Sequence, residues 1–255
     1  GDLTSMFLSD FGALVFKYIN KFDNTYYSEN DFWNRNKNII HIDFDNEFFY
    51  KRIKSDLKDA NILIHDYQYG SDEYKNIHSL IENNRNEIAA IILWPIHTPL
   101  GHKVEMPNDD FLQKVRELTT KNDIVLIFDE IRTGFRVDLG GAQKKFNVIP
   151  DLATFGKAMA NGYSIAALVG KREIMDMLAP QGPVYQAGTL SGNPMAMSCG
   201  LSLLNELNDN SEIYTSLEKK SAFLENGFRN VFKKYNLEYT LNRVGSMMSF
   251  HLGIS

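Results

Sequence analysis

The sequence predicts an α/β layered fold with a mostly parallel sheet. Two continuous aliphatic runs, Glu87 to Leu93 and Ile124 to Phe128, support this prediction, because a strand covered on both faces is apolar at every position. Between them, Asn108 to Lys121 carries apolar side chains at helical spacing. Strands that alternate with helices in this way are typical of parallel sheets.

The alternation continues towards the C-terminus. We expect two shorter strands, then a helix that begins near Pro194, a longer amphipathic helix and a final pair of strands. These elements are, in order, Asp151 to Phe155, Ile165 to Val169, Asn193 to Leu207, Ser211 to Tyr235 and Tyr239 to Leu252. Tyr18 to Arg52 is crowded with Asn, Asp and aromatic residues, which indicates loops and short strands.

Composition excludes several classes of protein. The chain has 255 residues, of which 44% are hydrophobic and 23% charged, so it is neither disordered nor collagen-like. The net charge is −5 and the basic residues are dispersed, so we expect no nucleic-acid partner. The only cysteine, Cys199, allows no disulfide within the chain and favours a cytoplasmic location. The longest apolar run, Ile88 to Ile96, is less than half of the roughly 20 residues of a membrane helix, so we expect no membrane association.

Asp129 and Glu130 directly follow a predicted buried strand. Ligands of open α/β sheets bind outside that end of the strands. A nucleotide hydrolase also places an acid there, but it needs a glycine-rich loop that ends in Gly-Lys-Ser/Thr. Neither Gly156-Lys157 nor Gly170-Lys171 meets that pattern, which excludes this class. An acid that only caps a turn remains the alternative.

Lys157 follows a short apolar strand and has small neighbours, Gly156 and Ala158. Small neighbours leave room beside the amine, which predicts an apolar pocket towards the interior of the sheet. A lysine in such a pocket loses its charge easily and becomes a nucleophile towards aldehydes. A solvated surface lysine is the alternative.

Gly188 to Pro194 forms a glycine and hydroxyl loop that runs into a predicted helix. Free N–H groups at a helix start, together with two hydroxyls, would bind an anion, although an ordinary capped helix start has the same pattern. A nucleophilic lysine, a carboxylate and an anion cradle are together what a pyridoxal phosphate enzyme needs. The lysine forms a Schiff base and the carboxylate keeps the pyridine nitrogen protonated.

From about Asn86 to Gly200 the sequence resembles the class III (fold type I) aminotransferases, and within them it is most similar to the glutamate-1-semialdehyde 2,1-aminomutase group. The matching segments are Leu126 to Arg136, Gly140 to Gln143, Pro150 to Lys157, Gly188 to Pro194 and Arg243 to Met247. The steps of 28 residues from Asp129 to Lys157 and 32 from Lys157 to Thr189 also resemble that group.

The resemblance implies a three-layer α/β/α large domain with pyridoxal 5'-phosphate as cofactor. It implies that Lys157 forms the Schiff base, that Asp129 pairs with the pyridinium and that Ile131 packs on one face of the ring. Thr189 would reach the phosphate of the neighbouring subunit, so we expect a homodimer with shared active sites. Residues 1–85 would be a divergent N-terminal part of the large domain, 86–237 its cofactor-binding core and 238–255 the start of a truncated small domain.

Several features depart from the family pattern. The N-terminal phosphate-binding run of the Ser-Gly-Thr-Glu-Ala type is absent, and so is the aromatic-His-Gly run, for which His41, His65 and Tyr67 are only candidate replacements. Trp94 stands where the family has a glutamate, which indicates an unusual substrate pocket. His97 and His102 follow in an unusual loop and are either structural or catalytic.

The sequence therefore predicts a pyridoxal phosphate-dependent aminotransferase that moves an amino group between a small-molecule amino donor and a carbonyl acceptor. Two alternatives remain. A glutamate-1-semialdehyde-type aminomutase would use the same residues and return the amine to another carbon of the same molecule. A non-catalytic member of the fold would lack the phosphate cup and bind no cofactor.

Overall fold

A computed structural model describes residues 16–20, 38–42, 62–64, 73–83, 88–96, 104, 106–107 and 110–253. Its strands are β1 Phe16–Asn20, β2 Asn38–Ile42, β3 Ile62–Ile64, β4 Ala90–Leu93, β5 Val125–Asp129, β6 Leu152–Phe155, β7 Ala167–Gly170, β8 Tyr239–Val244 and β9 Met247–Leu252. Its α-helices are α1 Glu73–Asn83, α2 Phe111–Lys121, α3 Gly141–Phe146, α4 Arg172–Met175, α5 Pro194–Asp209 and α6 Glu212–Lys234. A 3₁₀ turn spans Lys157–Met159.

The central sheet has five strands in the order β3-β4-β5-β6-β7. The first four are parallel, and β7 runs antiparallel to β6. Leu93 lies opposite Phe128 and Asp129 lies opposite Thr154, so β4, β5 and β6 end at the same edge of the sheet. The α/β prediction is confirmed, and this carboxyl edge is where the acid and the lysine are brought together.

The core lies between this sheet and helices α1 and α2. Leu126 and Phe128 of β5 are fully buried, whereas the alternate side chains of this strand are only partly buried. The second face of β5 is therefore less covered than the continuous aliphatic run predicts. Helix α2 contributes one apolar stripe, which consists of Phe111, Leu112, Val115 and Leu118. Burial of one such side chain contributes about 1.5–3 kcal/mol, so this layer provides the rigid base for the carboxyl edge.

The predicted strand pair at the C-terminal end is the antiparallel hairpin β8–β9. Val244 and Met247 at its turn form a small buried cluster with Ile96, which follows β4. Arg243 donates to Glu225 of α6 at 2.6 Å, and its guanidinium is the main cause that holds the pKa of Glu225 below its ordinary value. The division of the chain at residues 85 and 237 stays a prediction.

The observed elements differ from the predicted ones mainly at their ends. The strand expected at Ile165 to Val169 begins at Ala167, because the N–H of Ile165 is bonded to the carbonyl of Tyr163 within a turn. Two strands, β1 and β2, form a separate parallel pair within and beside the Asn-rich stretch. None of the described helices is long and apolar enough to cross a membrane.

Asp151 links β5, α2 and the residue after β7 at the end of the sheet opposite to the carboxyl edge. Its buried carboxylate accepts hydrogen bonds from the Leu126 N–H at 2.7 Å, Arg116 Nη1 at 2.8 Å and Lys171 Nζ at 2.7 Å. Burial alone would raise the pKa of Asp151, but these three donors together hold the pKa below its ordinary value. The folded state therefore favours the ionised carboxylate.

We expect Asp151→Asn to lower the free energy of unfolding by about 3 kcal/mol at pH 7, because the amide can still accept the Leu126 N–H but has no negative charge to pair with Arg116 and Lys171. Since the folded pKa lies below the unfolded one, the ionised Asp151 stabilises the protein above about pH 4, and this stability is lost as the pH falls through the folded pKa. Urea unfolding between pH 7 and pH 3 measures both effects. An equally steep loss of stability in the variant and the parent protein would contradict this role.

Candidate active site

Asp129 is the last residue of β5, and its half-buried carboxylate is held by three donors. Oδ1 accepts the N–H of Ile131 at 3.0 Å and lies 3.4 Å from Oγ1 of Thr154 on β6. Oδ2 accepts the indole N–H of Trp94, which follows β4, at 2.9 Å. The carboxylate is therefore fixed by groups from three neighbouring strands. An oxygen that accepts one hydrogen bond keeps one lone pair for another donor.

Lys157 lies three residues beyond Thr154, at the same edge of the sheet. Its φ of 46° is in the left-handed region, which non-glycine residues rarely adopt outside constrained sites. The turn is closed by the N–H of Asn161, which donates to the Lys157 carbonyl at 3.0 Å. Among the described residues the Lys157 side chain has no hydrogen-bond or ion-pair partner, so no contact within this part of the chain holds its amine.

The prediction that Lys157 sits in an apolar pocket is wrong for the chain by itself, because the side chain is exposed. The same small neighbours that leave room beside the amine, Gly156 and Ala158, also leave it uncovered. Any enclosure of the amine has to come from protein outside the described residues or from another chain.

Ile131 contacts both the acid and the backbone next to the lysine, since its N–H donates to Asp129 and its side chain lies beside Gly156. A Cβ atom on Gly156 would be 3.1 Å from Cδ1 of Ile131, so the Ile131 side chain packs closely against the backbone that leads into the lysine turn. The structure therefore brings Asp129, Ile131 and Lys157 to one edge of the sheet.

Helix α5 packs against the 3₁₀ turn that carries Lys157. Ala196 and Gly200 are its buried residues on this side, four residues apart on one helix face. A Cβ on Gly200 would lie 3.5 Å from the carbonyl oxygen of Met159 and 3.8 Å from Cβ of Ala160. The helix backbone therefore approaches the 3₁₀ turn that carries Lys157, and it fixes that turn against the sheet.

Thr189 lies in the exposed turn that leads into α5. In the described part of the chain it makes no hydrogen bond to Asp129, Ile131 or Lys157. The expectation of free N–H groups at the start of α5 needs correction, since Oδ1 of Asn193 accepts the N–H groups of Met195 at 3.1 Å and Ala196 at 3.2 Å. The capped helix start is therefore present, and a role for Thr189 towards a phosphate stays a prediction.

The sequence draws attention to Glu130 and Trp94, but it does not show which groups they contact. Glu130 is fully buried and accepts hydrogen bonds from Thr133 Oγ1, from the Ala142 N–H at 2.6 Å and from the Gln143 N–H at 3.1 Å. It thus anchors the loop after Asp129 to the start of α3. Only the pairing of β4 with β5 shows that Trp94 lies beside Asp129.

Positive charge accompanies this carboxyl edge. The Arg132 guanidinium lies over the Trp94 ring, 5.9 Å from its centroid. Burial, together with the charge of Arg132, lowers the pKa of Arg136 from its ordinary value. Because Trp94 bonds to Asp129, the Arg132 guanidinium adds positive charge near the acid of the site.

Other candidates lie outside the described residues. His65, Tyr67, His97 and His102 are not described, and of His41 only the backbone, within β2, is described. The structure therefore neither supports nor opposes their roles.

The described groups fit part of pyridoxal phosphate. Asp129 offers an anchored carboxylate oxygen with a free lone pair, which suits a protonated ring nitrogen, and Lys157 offers an unpaired primary amine, which suits an aldehyde. Ile131 provides an apolar surface between them. The donor set for the ring and the aldehyde is present in this chain.

The sequence profile of the family described as aminotransferase class III matches residues 34–253. The chain is 48% identical over 178 residues to glutamate-1-semialdehyde 2,1-aminomutase 2 of Lachnoclostridium phytofermentans, and this match covers 69% of the chain and 41% of the relative. It is 50% identical over 176 residues to glutamate-1-semialdehyde 2,1-aminomutase of Prosthecochloris aestuarii, and this match covers 69% of the chain and 40% of the relative.

Solved structures agree with the fold. An omega-transaminase from Sphaerobacter thermophilus superimposes with a TM-score of 0.64 at 30% sequence identity, over 71% of this chain and 41% of that one. The chain thus spans about two fifths of the length of the curated relatives that it matches.

Proposed function

The chain belongs to the class III aminotransferases, a family of pyridoxal phosphate-dependent enzymes of fold type I, and from this we propose that it takes part in amino-group transfer of the glutamate-1-semialdehyde 2,1-aminomutase type. The observation that supports the chemistry best is the position of Asp129 and the free Lys157 amine at the ends of adjacent parallel strands. The proposal concerns the whole protein, because the matched segment covers only 41% of the relative's length.

Four residues would hold the cofactor. Asp129 would accept the ring N–H, Ile131 would cover one ring face and Lys157 would hold the aldehyde carbon. Thr189 would bind the phosphate of the cofactor that is held in the neighbouring subunit. When bound, pyridoxal phosphate withdraws electrons from the carbon that bears the substrate amine and so makes its proton acidic.

The residues of the chain then have distinct tasks. Lys157 would hold the aldehyde end of the cofactor, and its Nζ, once free, would carry a proton between two carbons of the substrate. Asp129, whose carboxylate is held by Trp94 and the Ile131 N–H, would accept the N–H at the opposite end of the ring, and its negative charge would favour the protonated form.

The names of the relatives support an aminomutase rather than an aminotransferase with two separate substrates. An aminomutase of this kind moves the amine of glutamate 1-semialdehyde from carbon 2 to carbon 1, so that the product is an amino ketone isomer of the substrate. No second carbonyl compound is consumed, because the amine leaves and returns within one molecule.

The experiment is to supply glutamate 1-semialdehyde to the full-length protein, loaded with pyridoxal phosphate, without any other amino donor or acceptor. We expect the amino ketone isomer to accumulate in an amount equal to the substrate lost. Turnover only after addition of a separate keto acid would instead favour the two-substrate aminotransferase. A protein that takes up the cofactor but converts neither set of substrates would contradict both.

We further propose that the protein works as a dimer in which a second chain covers the exposed lysine edge. The loop before α5 and the outer face of that helix expose large apolar side chains, including Tyr185 at 83%, Leu190 at 58% and Leu201 at 63%. Apolar surface of this extent is typical of protein interfaces. Light scattering tests this proposal, and an active species with the mass of one chain would rule it out.

A further inference from the structure

Trp94 occupies a defined place beside the acid of the site. It directly follows β4, and the pairing of Leu93 with Phe128 puts it next to Asp129 on β5. Its half-buried indole donates from Nε1 to Oδ2 of Asp129 at 2.9 Å. Thus the side chain that departs from the family pattern is directed at the carboxylate that would bind the cofactor.

The indole holds a different oxygen of the Asp129 carboxylate from the other two donors. The Ile131 N–H and Thr154 Oγ1 both approach Oδ1, and the second of these lies at a long 3.4 Å. In the described part of the chain, Oδ2 accepts a hydrogen bond from Trp94 alone. Without the indole N–H, the carboxylate would be held at one oxygen only and could rotate about its χ2 angle.

The ring of Trp94 is itself restrained. The Arg132 guanidinium lies over its face at 5.9 Å, and the half-buried ring is bonded at its edge to Asp129. A cation over the face of an indole is attracted to the ring and so restrains its orientation. The ring therefore presents its N–H in one orientation, and the second lone pair of Oδ2 remains for another donor.

We propose that Trp94 is a positioning residue that orients the Asp129 carboxylate towards the ring nitrogen of pyridoxal phosphate. This inference rests on the cofactor site proposed above. A carboxylate whose free lone pair already points in the required direction binds a cationic N–H without further loss of rotational freedom. The indole thus acts on the cofactor through Asp129 and not by touching it.

Trp94→Phe tests this role, because it keeps an aromatic ring and removes the N–H. We expect the Kd of the full-length apoprotein for pyridoxal phosphate, measured by absorption titration, to rise about tenfold, the low end of the effect of a hydrogen bond to a charged group. In an Asp129→Ala background the same substitution should change the Kd less than twofold, since the group through which Trp94 acts is gone.

Equal losses in the two backgrounds, or an unchanged Kd in the single variant, would overturn the inference while the proposed function stands. A parent protein that takes up no pyridoxal phosphate would overturn both. If Trp94→Phe fails to fold, benzothienylalanine at position 94 replaces only the N–H by sulfur and should give the same tenfold change.

A second measurement needs no cofactor. The indole ¹H–¹⁵N resonance of Trp94 in the apoprotein should move in Asp129→Ala, because its acceptor is lost, and should stay in place in Asp138→Asn, a change at a nearby loop acid. An indole resonance that is the same with and without the Asp129 carboxylate would overturn the inference.

Discussion

Lys157→Ala is expected to lower the turnover of the cofactor-loaded protein by roughly a thousandfold or more. The variant loses both the amine that holds the aldehyde and the group that moves the proton, and each of these roles alone is worth about 10²- to 10⁴-fold. The structure makes Lys157 the candidate because it lies at the carboxyl edge beside Asp129 and its amine has no partner among the described residues. Steady-state turnover with saturating pyridoxal phosphate measures the loss.

The chain offers a matched control for this change. Lys171 also follows a glycine at the end of a strand. Its Nζ, however, forms an ion pair with Asp151 at 2.7 Å, at the end of the sheet opposite to the carboxyl edge. Lys171→Arg keeps the ion pair and should leave turnover within about twofold. Added methylamine should restore part of the activity of Lys157→Ala and leave Lys171→Arg unchanged. Near-normal turnover in Lys157→Ala would refute the assignment of this lysine.

Asp129→Ala is expected to lower turnover by about 10³-fold, since the unprotonated cofactor ring withdraws electrons poorly and a pre-organised electrostatic partner is worth that much. Its carboxylate is held by donors at the ends of three neighbouring strands, which keep it at the carboxyl edge of the sheet. Turnover and cofactor absorption spectra, recorded on the same preparation, distinguish loss of chemistry from loss of cofactor.

Asp138 supplies the control for Asp129. It lies on the loop that follows the site, where its carboxylate accepts the Gly140 N–H at 2.9 Å and pairs with Lys144 at 3.0 Å. An amide oxygen can still accept the Gly140 N–H, so Asp138→Asn should retain nearly all activity. If Asp129→Ala and Asp138→Asn had the same small effect, Asp129 would have no special role.

The sequence predicts the layers of this fold well because they depend on local patterns. The aliphatic run at Ile124 to Phe128 becomes the buried strand β5, and the apolar stripe of Asn108 to Lys121 becomes α2, from Phe111. The antiparallel direction of β7 is not predicted, since it depends on the turn between Lys157 and Ile165 rather than on hydrophobic period. Positive φ at Lys157 and Asn161 belongs to that same turn.

The site could be predicted only in part, for a physical reason. Asp129 and Lys157 follow strand ends, which the sequence locates, and parallel pairing then brings them to one edge. Their exposure could not be inferred, because small neighbours indicate space but not what fills it. The bond from Trp94 to Asp129 joins residues 35 positions apart, and the anchor of Glu130 at α3 depends on how the intervening loop folds back.

The most direct test of the central claim is to reduce the cofactor-loaded protein with borohydride and to map the labelled peptide. The account predicts a visible absorption band before reduction and a pyridoxyl group covalently fixed to Lys157 afterwards, with no label in Lys157→Ala. A colourless protein that binds no pyridoxal phosphate, or a label on another lysine in the parent protein, would contradict it.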